Sequence, residues 1–257
     1  MEIDEDELPL IIYDGISYCL CSDHAEVIYT FLSDDTLEEY SLRSEIVYDG
    51  KAYPVTVIAD SAFYCYAYMT SVEIPDSVTA IGTSAFEFCE ELTDVTLPES
   101  ITSLGDYAFS ECTSLESIVL PESITEYGSG IFYDCTALTD ITLPANLTKI
   151  PDEMFSGCEG LVSIELPEAV ISIGTESFWY CEALTGIDLP EGLTVISDRA
   201  FYDCVSLEEI TLPTTLAYLA EDAFDACDSL AVVRCPSGLV KGFEAVFNGY
   251  DFEVIEY

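Results

Sequence analysis

The chain contains 257 residues, half of them hydrophobic, so it can build a continuous apolar core and does not have the composition of a disordered chain. It has 50 Asp and Glu residues against 6 Lys and Arg, a formal net charge of −44, so we expect no nucleic acid binding and little attraction to anionic membranes. No stretch approaches the roughly 18 consecutive apolar residues of a membrane span, so membrane insertion is not expected. Basic proteins, cations, neutral glycans and protein surfaces remain open as partners.

The N-terminal part of the sequence predicts a short tail followed by a β-rich cap over residues 10–62. Residues 1–9 are predicted to form an acidic, disordered tail. This start is acidic where a signal peptide would be basic and then apolar, so we expect no export signal in this chain, although a piece of a longer protein would look the same. Residues 15–20 and 25–29 predict a hairpin around residues 22–24, and a second hairpin is predicted to turn at Asp49 and Gly50.

Three residue types then recur with a fixed period of 23. The prolines are Pro75, Pro98, Pro121, Pro144, Pro167, Pro190, Pro213 and Pro236. The phenylalanines are Phe63, Phe86, Phe109, Phe132, Phe155, Phe178, Phe201, Phe224 and Phe247. The cysteines are Cys89, Cys112, Cys135, Cys158, Cys181, Cys204 and Cys227. Self-similarity at such a period predicts a solenoid of stacked coils, which we place over residues 63–242.

Each repeat predicts one coil with two short extended segments and a turn. In one coil, Ile118 and Leu120 point inward and Val119 outward, as in a half-buried strand, and Pro121 ends the pairing because it has no N–H. A second extended segment, such as residues 147–150, follows. The Ala-Phe-x-x-Cys segment has apolar residues three apart, which predicts a short helical or 3₁₀ turn.

The sequence offers little for catalysis or metal binding, and we predict no catalytic residue, no metal site and no cofactor. There is one histidine, His24, in a predicted hairpin turn, and a lone histidine of this kind is expected to be a bystander. The regular cysteine ladder is interpreted as buried core thiols; redox or metal chemistry is the alternative. Cys19 and Cys21 lie one residue apart, too close along one strand for a good disulfide, and are interpreted as core.

Two surfaces are candidate binding sites. On the first, variable residues alternate with the fixed inward positions of the first strand in each coil, although solvent-facing positions can also simply drift. We select from it Glu73, Asp94, Thr96, Thr142, Glu165, Asp188, Glu209, Thr211 and Arg234. The second is an aromatic patch, for which packing over the outside of the coil is the alternative. It contains Tyr133, Trp179, Tyr180 and Tyr202.

The repeat resembles the BspA-like leucine-rich repeats, also called the Treponema pallidum type. The match rests on L-x-x-I-x-L-P, the following L-T-x-I, and A-F-x-x-C, which recur from about Met69 to Gly242. The resemblance implies a leucine-rich repeat solenoid, a right-handed β/α superhelix of short strands with short helical or 3₁₀ turns. It also implies an extracellular or cell-surface location, because proteins of this family are typically surface-exposed or secreted, and some are adhesins for host matrix glycoproteins.

The template departs from the family pattern at both ends. Cys65 sits one place early near Phe63, and past Pro236 the expected isoleucine and cysteine are replaced by Gly242 and Tyr250. Residues 243–257 are therefore predicted to be a C-terminal cap or a junction, with residues 252–257 as a last strand.

Together these features predict a monomeric, non-enzymatic binding module that recognises a protein or glycan ligand. The alternatives are a structural spacer and a non-catalytic accessory domain of a larger surface protein or enzyme.

Overall fold

The computed structural model describes residues 9–28, 38–247 and 250–257, and it confirms the predicted solenoid. Residues 1–8 of the predicted tail lie outside this description, as does the end of the first predicted hairpin at Tyr29. Coils of 23 residues stack so that equivalent residues of successive coils lie beside one another.

In the described residues of the N-terminal cap there are six strands. They are β1 (Leu10–Tyr13), β2 (Ile16–Leu20), β3 (Ala25–Ile28), β4 (Glu39–Ser41), β5 (Glu45–Tyr48) and β6 (Lys51–Ile58). Both predicted hairpins are present, since β2 pairs antiparallel with β3 and β5 pairs antiparallel with β6. Strand β3 also pairs parallel with β6, and β6 continues in parallel into the array, so the cap covers the edge that the first coil would otherwise expose.

The structure describes fourteen further strands and two short helical segments over residues 63–247 and 250–257. The strands are β7 (Ser71–Glu73), β8 (Ala80–Ile81), β9 (Asp94–Thr96), β10 (Ser103–Leu104), β11 (Ser117–Val119), β12 (Glu126–Tyr127), β13 (Asp140–Thr142), β14 (Lys149–Ile150), β15 (Ser172–Ile173), β16 (Val195–Ile196), β17 (Glu209–Thr211), β18 (Tyr218–Leu219), β19 (Val232–Cys235) and β20 (Glu253–Glu256). A 3₁₀ turn covers Val240–Gly242, and α1 covers Glu244–Phe247.

These strands form two parallel ladders along the solenoid. The first ladder consists of three separately paired groups, β4-β7-β9, β11-β13 and β17-β19, and its inward residues, such as Ile118 and Ile141, are buried. The second ladder contains β8, β10 and β12, followed by β14, β15, β16 and β18. Strand β4 was not predicted, because its spacing to β7 is 32 residues instead of 23 (71 − 39 = 32).

A spine of phenylalanine rings fills the core. The eight rings from Phe63 to Phe224 are fully buried and stack with nearly parallel planes, at centroid separations of 5.1 to 6.0 Å. Phe247 keeps the period but leaves the stack, since its ring contacts Phe243 and Phe252 edge-on. The spine therefore ends where the sequence template decays.

The Ala-Phe-x-x-Cys segments form turns, so the helical form of the prediction is not found, whereas the hydrogen bonds that reach three residues back are those of a 3₁₀ turn. Within the first such segment, the N–H groups of Ser61, Phe63 and Cys65 donate to carbonyls of the next coil, at 2.8 to 2.9 Å. The N–H groups between them donate to their own coil, three residues back. Two residues of each such segment adopt positive φ to allow this, as at Ser61 (55°) and Cys65 (61°), except in the last segment, where only Ala226 does. This pattern excludes an α-helix, in which all N–H groups would bond within one coil instead of alternately bonding the next coil.

The cysteine ladder connects each coil to the preceding one. Every repeat cysteine donates its S–H to the carbonyl of the phenylalanine 26 residues earlier, as Cys158 does to Phe132 at 3.2 Å. That carbonyl also accepts the N–H of Cys135 in its own coil, so both of its lone pairs are used. The prediction of buried core thiols is confirmed for six cysteines of this ladder, and Cys227 in the last coil is half-buried.

The second ladder is interrupted at Pro151. In neighbouring coils a glycine at this position donates its N–H to the preceding coil, as Gly128 does to Leu104 and Gly174 does to Ile150, at 2.8 and 3.0 Å. Pro151 has no N–H, so the equivalent bond to Tyr127 cannot form, and β12 and β14 belong to different sheets.

The C-terminal strand pairs with the last coil. Strand β20 runs parallel to β19, with Val233 opposite Val254, so the predicted last strand is present. It gives the terminal coil a partner on its open side.

Candidate functional site

The first ladder presents a surface that we call the strand face, the exposed residues on either side of each buried rung. Strand geometry produces it, because successive side chains point to opposite sides of the backbone. The rungs Val72, Val95, Ile164 and Ile187 are at most 7% exposed. All nine predicted strand-face residues point outward, eight of them exposed and Arg234 half-buried. Their exposure agrees with the prediction, and their role in binding stays a prediction.

The strand face is acidic. Among the nine predicted residues, five carry carboxylates and one, Arg234, carries a positive charge. Arg234 Nη2 lies 3.2 Å from Glu209 Oε2 on the neighbouring coil, so the cation is already paired. At the other end of the face, Glu73 Oε2 accepts a hydrogen bond from the Ser41 hydroxyl at 2.9 Å. A partner therefore meets mostly unneutralised negative charge.

The strand pairing of this face is interrupted between β9 and β11 and, over two whole coils, between β13 and β17. Residues 163–165 and 186–188 keep their buried rungs but are not strands, and in the described part of the chain no backbone hydrogen bond joins them to a neighbouring coil. Two open depressions of about 580 and 680 Å³ lie here and share Ser163, Ile164 and Glu165. They form one trough, which Asp188, Glu209 and Thr211 also line.

The predicted aromatic patch is only partly contiguous. Trp179 contacts Tyr180 and Tyr202 edge-on, at ring-centroid distances of 4.9 and 6.3 Å. Tyr133 pairs instead with Tyr107 at 6.2 Å, and the buried Ser156 occupies the coil between Tyr133 and Trp179. The structure thus brings three of the four predicted residues together.

The polar edge of the tryptophan ring in this patch points into the protein. Trp179 Nε1 is buried without a hydrogen-bond partner, and the ring as a whole is half-buried. Tyr180 is 37% exposed. Packing therefore explains much of this cluster, and its role in ligand binding stays a prediction.

The fully buried repeat thiols are chemically unreactive. Burial raises the pKa of Cys112, Cys158 and Cys204 well above the ordinary thiol value, so these side chains remain protonated at neutral pH. Because these thiols are also fully buried, reagents and ions in solvent do not reach them.

The cap hairpin gathers a second group of polar side chains, which the sequence analysis missed. Ligand atoms of Cys21, His24 and Glu26 lie within 4.8 Å of one another. The hydrogen bond from His24 to Asp23 and the nearby Glu26 raise the pKa of His24, while burial and then Glu26 raise the pKa of Cys21 to about 11. The sequence signal for this group is the spacing C-x-x-H-x-E across a predicted turn.

Among the residues that the structure describes, no helix has both the length and the apolar composition needed to cross a membrane.

Comparison with known proteins identifies the family of the repeat. The family model for the BspA type leucine rich repeat region (6 copies) matches residues 56–185 and 148–257, which together span most of the chain. No curated protein sequence is significantly similar to this chain.

Solved structures share the fold. A leucine-rich repeat protein from Bacteroides ovatus is 24% identical, with a TM-score of 0.70 over 96% of this chain and 76% of that one. The T. pallidum leucine rich repeat protein is 26% identical, with a TM-score of 0.57 over the whole of both chains. With its family model matched over the entire array, this chain belongs to the BspA type leucine rich repeat family.

Proposed function

We propose that this chain is a non-enzymatic binding module that takes a protein ligand on its strand face, at the trough between β13 and β17. The observation that carries the proposal is the combination of shape and charge in this trough. Two adjoining depressions lie where strand pairing stops, and carboxylates from three successive coils, Glu165, Asp188 and Glu209, line them. Membership of a repeat family whose fold suits protein interaction supports the same conclusion.

The charge of the trough specifies the kind of partner. Exposed carboxylates attract a basic protein surface over roughly a Debye length, about 8 Å at physiological ionic strength. Only Glu209 has a cationic neighbour in the described residues of the trough, and that neighbour is Arg234. We therefore propose a ligand that presents Lys or Arg side chains, such as a basic patch of a matrix protein. Following the resemblance of the repeat, we place the module at the cell surface or outside the cell, where it acts in adhesion.

The test is a binding screen with two charge-matched variants. Purified matrix glycoproteins and an array of Lys- and Arg-rich peptides serve as probes, and affinity is measured by surface plasmon resonance. The variant Glu165→Lys with Asp188→Lys should weaken binding about tenfold or more, because it places positive charge against the basic ligand. Its control, Glu126→Lys with Glu182→Lys, changes the net charge equally at exposed positions outside the strand face.

Two outcomes contradict the proposal. Equal weakening by both variants would show that the ligand senses overall charge and not the trough. No binding to any probe would favour the alternative of a structural spacer, which should bind nothing.

The aromatic patch is the second candidate surface, and it suits a neutral glycan. Tyr180 supports this candidate because its ring is accessible beside Trp179. The buried indole N–H counts against it, since that group is not available to a sugar hydroxyl. Trp179→Ala, screened on a glycan array beside the trough variant, separates the two surfaces: loss of glycan binding with protein binding intact would assign a glycan site here.

A further inference from the structure

The turn between β2 and β3 brings three different metal-binding atoms together. In the hairpin register Leu20 lies opposite Ala25, which leaves residues 21–24 to form the turn. Cys21, His24 and Glu26 each offer one atom, a sulfur, a nitrogen and an oxygen, and these atoms lie within 4.8 Å of one another. All three residues are half-buried, so the site is accessible to an ion from solvent.

The histidine is held so that one nitrogen faces the other two groups. Its Nδ1 lies 2.8 Å from Asp23 Oδ1, and since a carboxylate only accepts, Nδ1 carries the hydrogen. This leaves Nε2 with a free lone pair when the ring is neutral. Nε2 lies 3.2 Å from Glu26 Oε1, a hydrogen-bond distance when Nε2 carries a proton, and a cation bound to the neutral ring would replace that proton between the two atoms. A histidine oriented through its other nitrogen by a carboxylate is the usual arrangement of metal-binding histidines.

We propose that Cys21, His24 and Glu26 form a binding site for Zn²⁺. The combination of thiolate, imidazole and carboxylate is the ligand set that Zn²⁺ accepts, in contrast to the all-oxygen sets of Ca²⁺ and Mg²⁺. A Cys21 thiolate and a Glu26 carboxylate together balance the two charges of the ion. Three protein ligands leave the fourth position of a tetrahedral site to water. Binding releases the Cys21 thiol proton to solvent.

Two contacts hold the turn in place for this role. Lys51 Nζ donates to the Ser22 carbonyl at 2.9 Å, which ties the turn to the β5–β6 hairpin. Strand β3 pairs with β6 and so joins the site to the edge of the array. A bound ion would therefore fasten the cap at the end of the solenoid.

The first experiment detects the site in the full chain. Protein is stripped with a chelator, kept under a non-chelating reductant and titrated with Co²⁺ in excess Mg²⁺, so that exposed carboxylates are already occupied. We expect one equivalent of Co²⁺ to give a thiolate-to-metal charge-transfer absorption, and Zn²⁺ to displace it. No such absorption would overturn the proposal.

Single variants assign the ligands. Cys21→Ser and His24→Ala should each abolish the charge-transfer absorption or weaken Co²⁺ binding at least a hundredfold. Asp23→Asn should weaken it about 10- to 100-fold, the usual effect of removing a group that orients a metal ligand. Cys19→Ser is the matched control, because Cys19 is a half-buried thiol of the same hairpin outside the cluster. Equal loss in Cys19→Ser, or an unchanged absorption in Cys21→Ser, would overturn the assignment.

A measurement on the unmodified protein covers the case in which a variant fails to fold. Alkylation of individual cysteines is followed by mass spectrometry with and without Zn²⁺. Zinc should slow the modification of Cys21 at least tenfold and leave the exposed Cys65 unchanged. Equal rates at Cys21 with and without zinc would contradict the site.

Discussion

The buried cysteine ladder predicts that alkaline pH unfolds this protein. Burial raises the pKa of Cys89, Cys112, Cys135, Cys158, Cys181 and Cys204 above the ordinary thiol value. In the unfolded chain these thiols lose their protons above about pH 8.5, whereas the folded state keeps them. The unfolded state then binds fewer protons than the folded one, so stability falls as pH rises.

The magnitude follows from the number of thiols. Each proton that is bound only in the folded state lowers the free energy of unfolding by about 1.4 kcal/mol per pH unit. Six thiols give a limiting slope of about 8 kcal/mol per pH unit above about pH 9. Because domains are stable by about 5–15 kcal/mol, the protein should unfold within roughly two pH units of that point.

The assay is urea unfolding at a series of pH values from 7 to 11, followed by circular dichroism under a reductant. Half-buried tyrosines such as Tyr127, whose pKa burial raises to about 12, add to the slope, so the variant comparison isolates the cysteines. Cys158→Ser removes one titrating thiol and should reduce the slope by about 1.4 kcal/mol per pH unit. Cys65→Ser, at an exposed position, is the control. A free energy of unfolding that stays constant above pH 9 would refute the reasoning.

Two further predictions concern packing and charge. A Cβ on Gly105 would lie 2.4 Å from Thr83 N, so Gly105→Ala should lower the unfolding free energy by about 1–3 kcal/mol. Gly186→Ala is the control: no atom lies within 4 Å of the added Cβ, so this variant should change the unfolding free energy by less than about 1 kcal/mol. Equal effects in urea unfolding would contradict this close packing of coils. Raising ionic strength from low to moderate should raise the melting temperature, because aligned carboxylates such as Asp76 and Glu99 repel one another; a flat response would count against this account.

The architecture was predictable because each column of the repeat has one physical role. Proline ends a strand, phenylalanine fills the core and cysteine bonds the preceding coil. The strict period of 23 residues therefore predicted how the coils stack. The cap hairpins were predictable from local turn residues such as Asp49 and Gly50. The outward orientation of the strand-face residues followed from the alternation of a strand.

The missed features depend on contacts between coils or on irregular spacing. The Ala-Phe segment was predicted to be a helical or 3₁₀ turn because its apolar residues lie three apart, and no α-helix forms because alternate N–H groups bond the next coil. Strand β4 lies 32 residues before β7 and so outside the repeat register. Trp179 could be assigned to the outside of the coil, but the burial of its Nε1 depends on neighbouring rings.

The division between fixed interior and variable exterior decides how the strand face can bind. The inward residues of three successive coils, Ile164, Ile187 and Ile210, are all isoleucine and are buried. Substitutions at the exposed Glu165, Asp188 or Glu209 therefore leave the core intact. Each exposed carboxylate attracts a partner cation by only about 1 kcal/mol at 4 Å in water, so affinity must come from several coils acting together. Such binding is fast and sensitive to salt, because exposed charges act mainly on the rate of association. If the strand face binds a basic ligand as proposed, a screen at low ionic strength should detect binding that is lost in high salt, whereas a response that does not depend on salt would contradict the proposal.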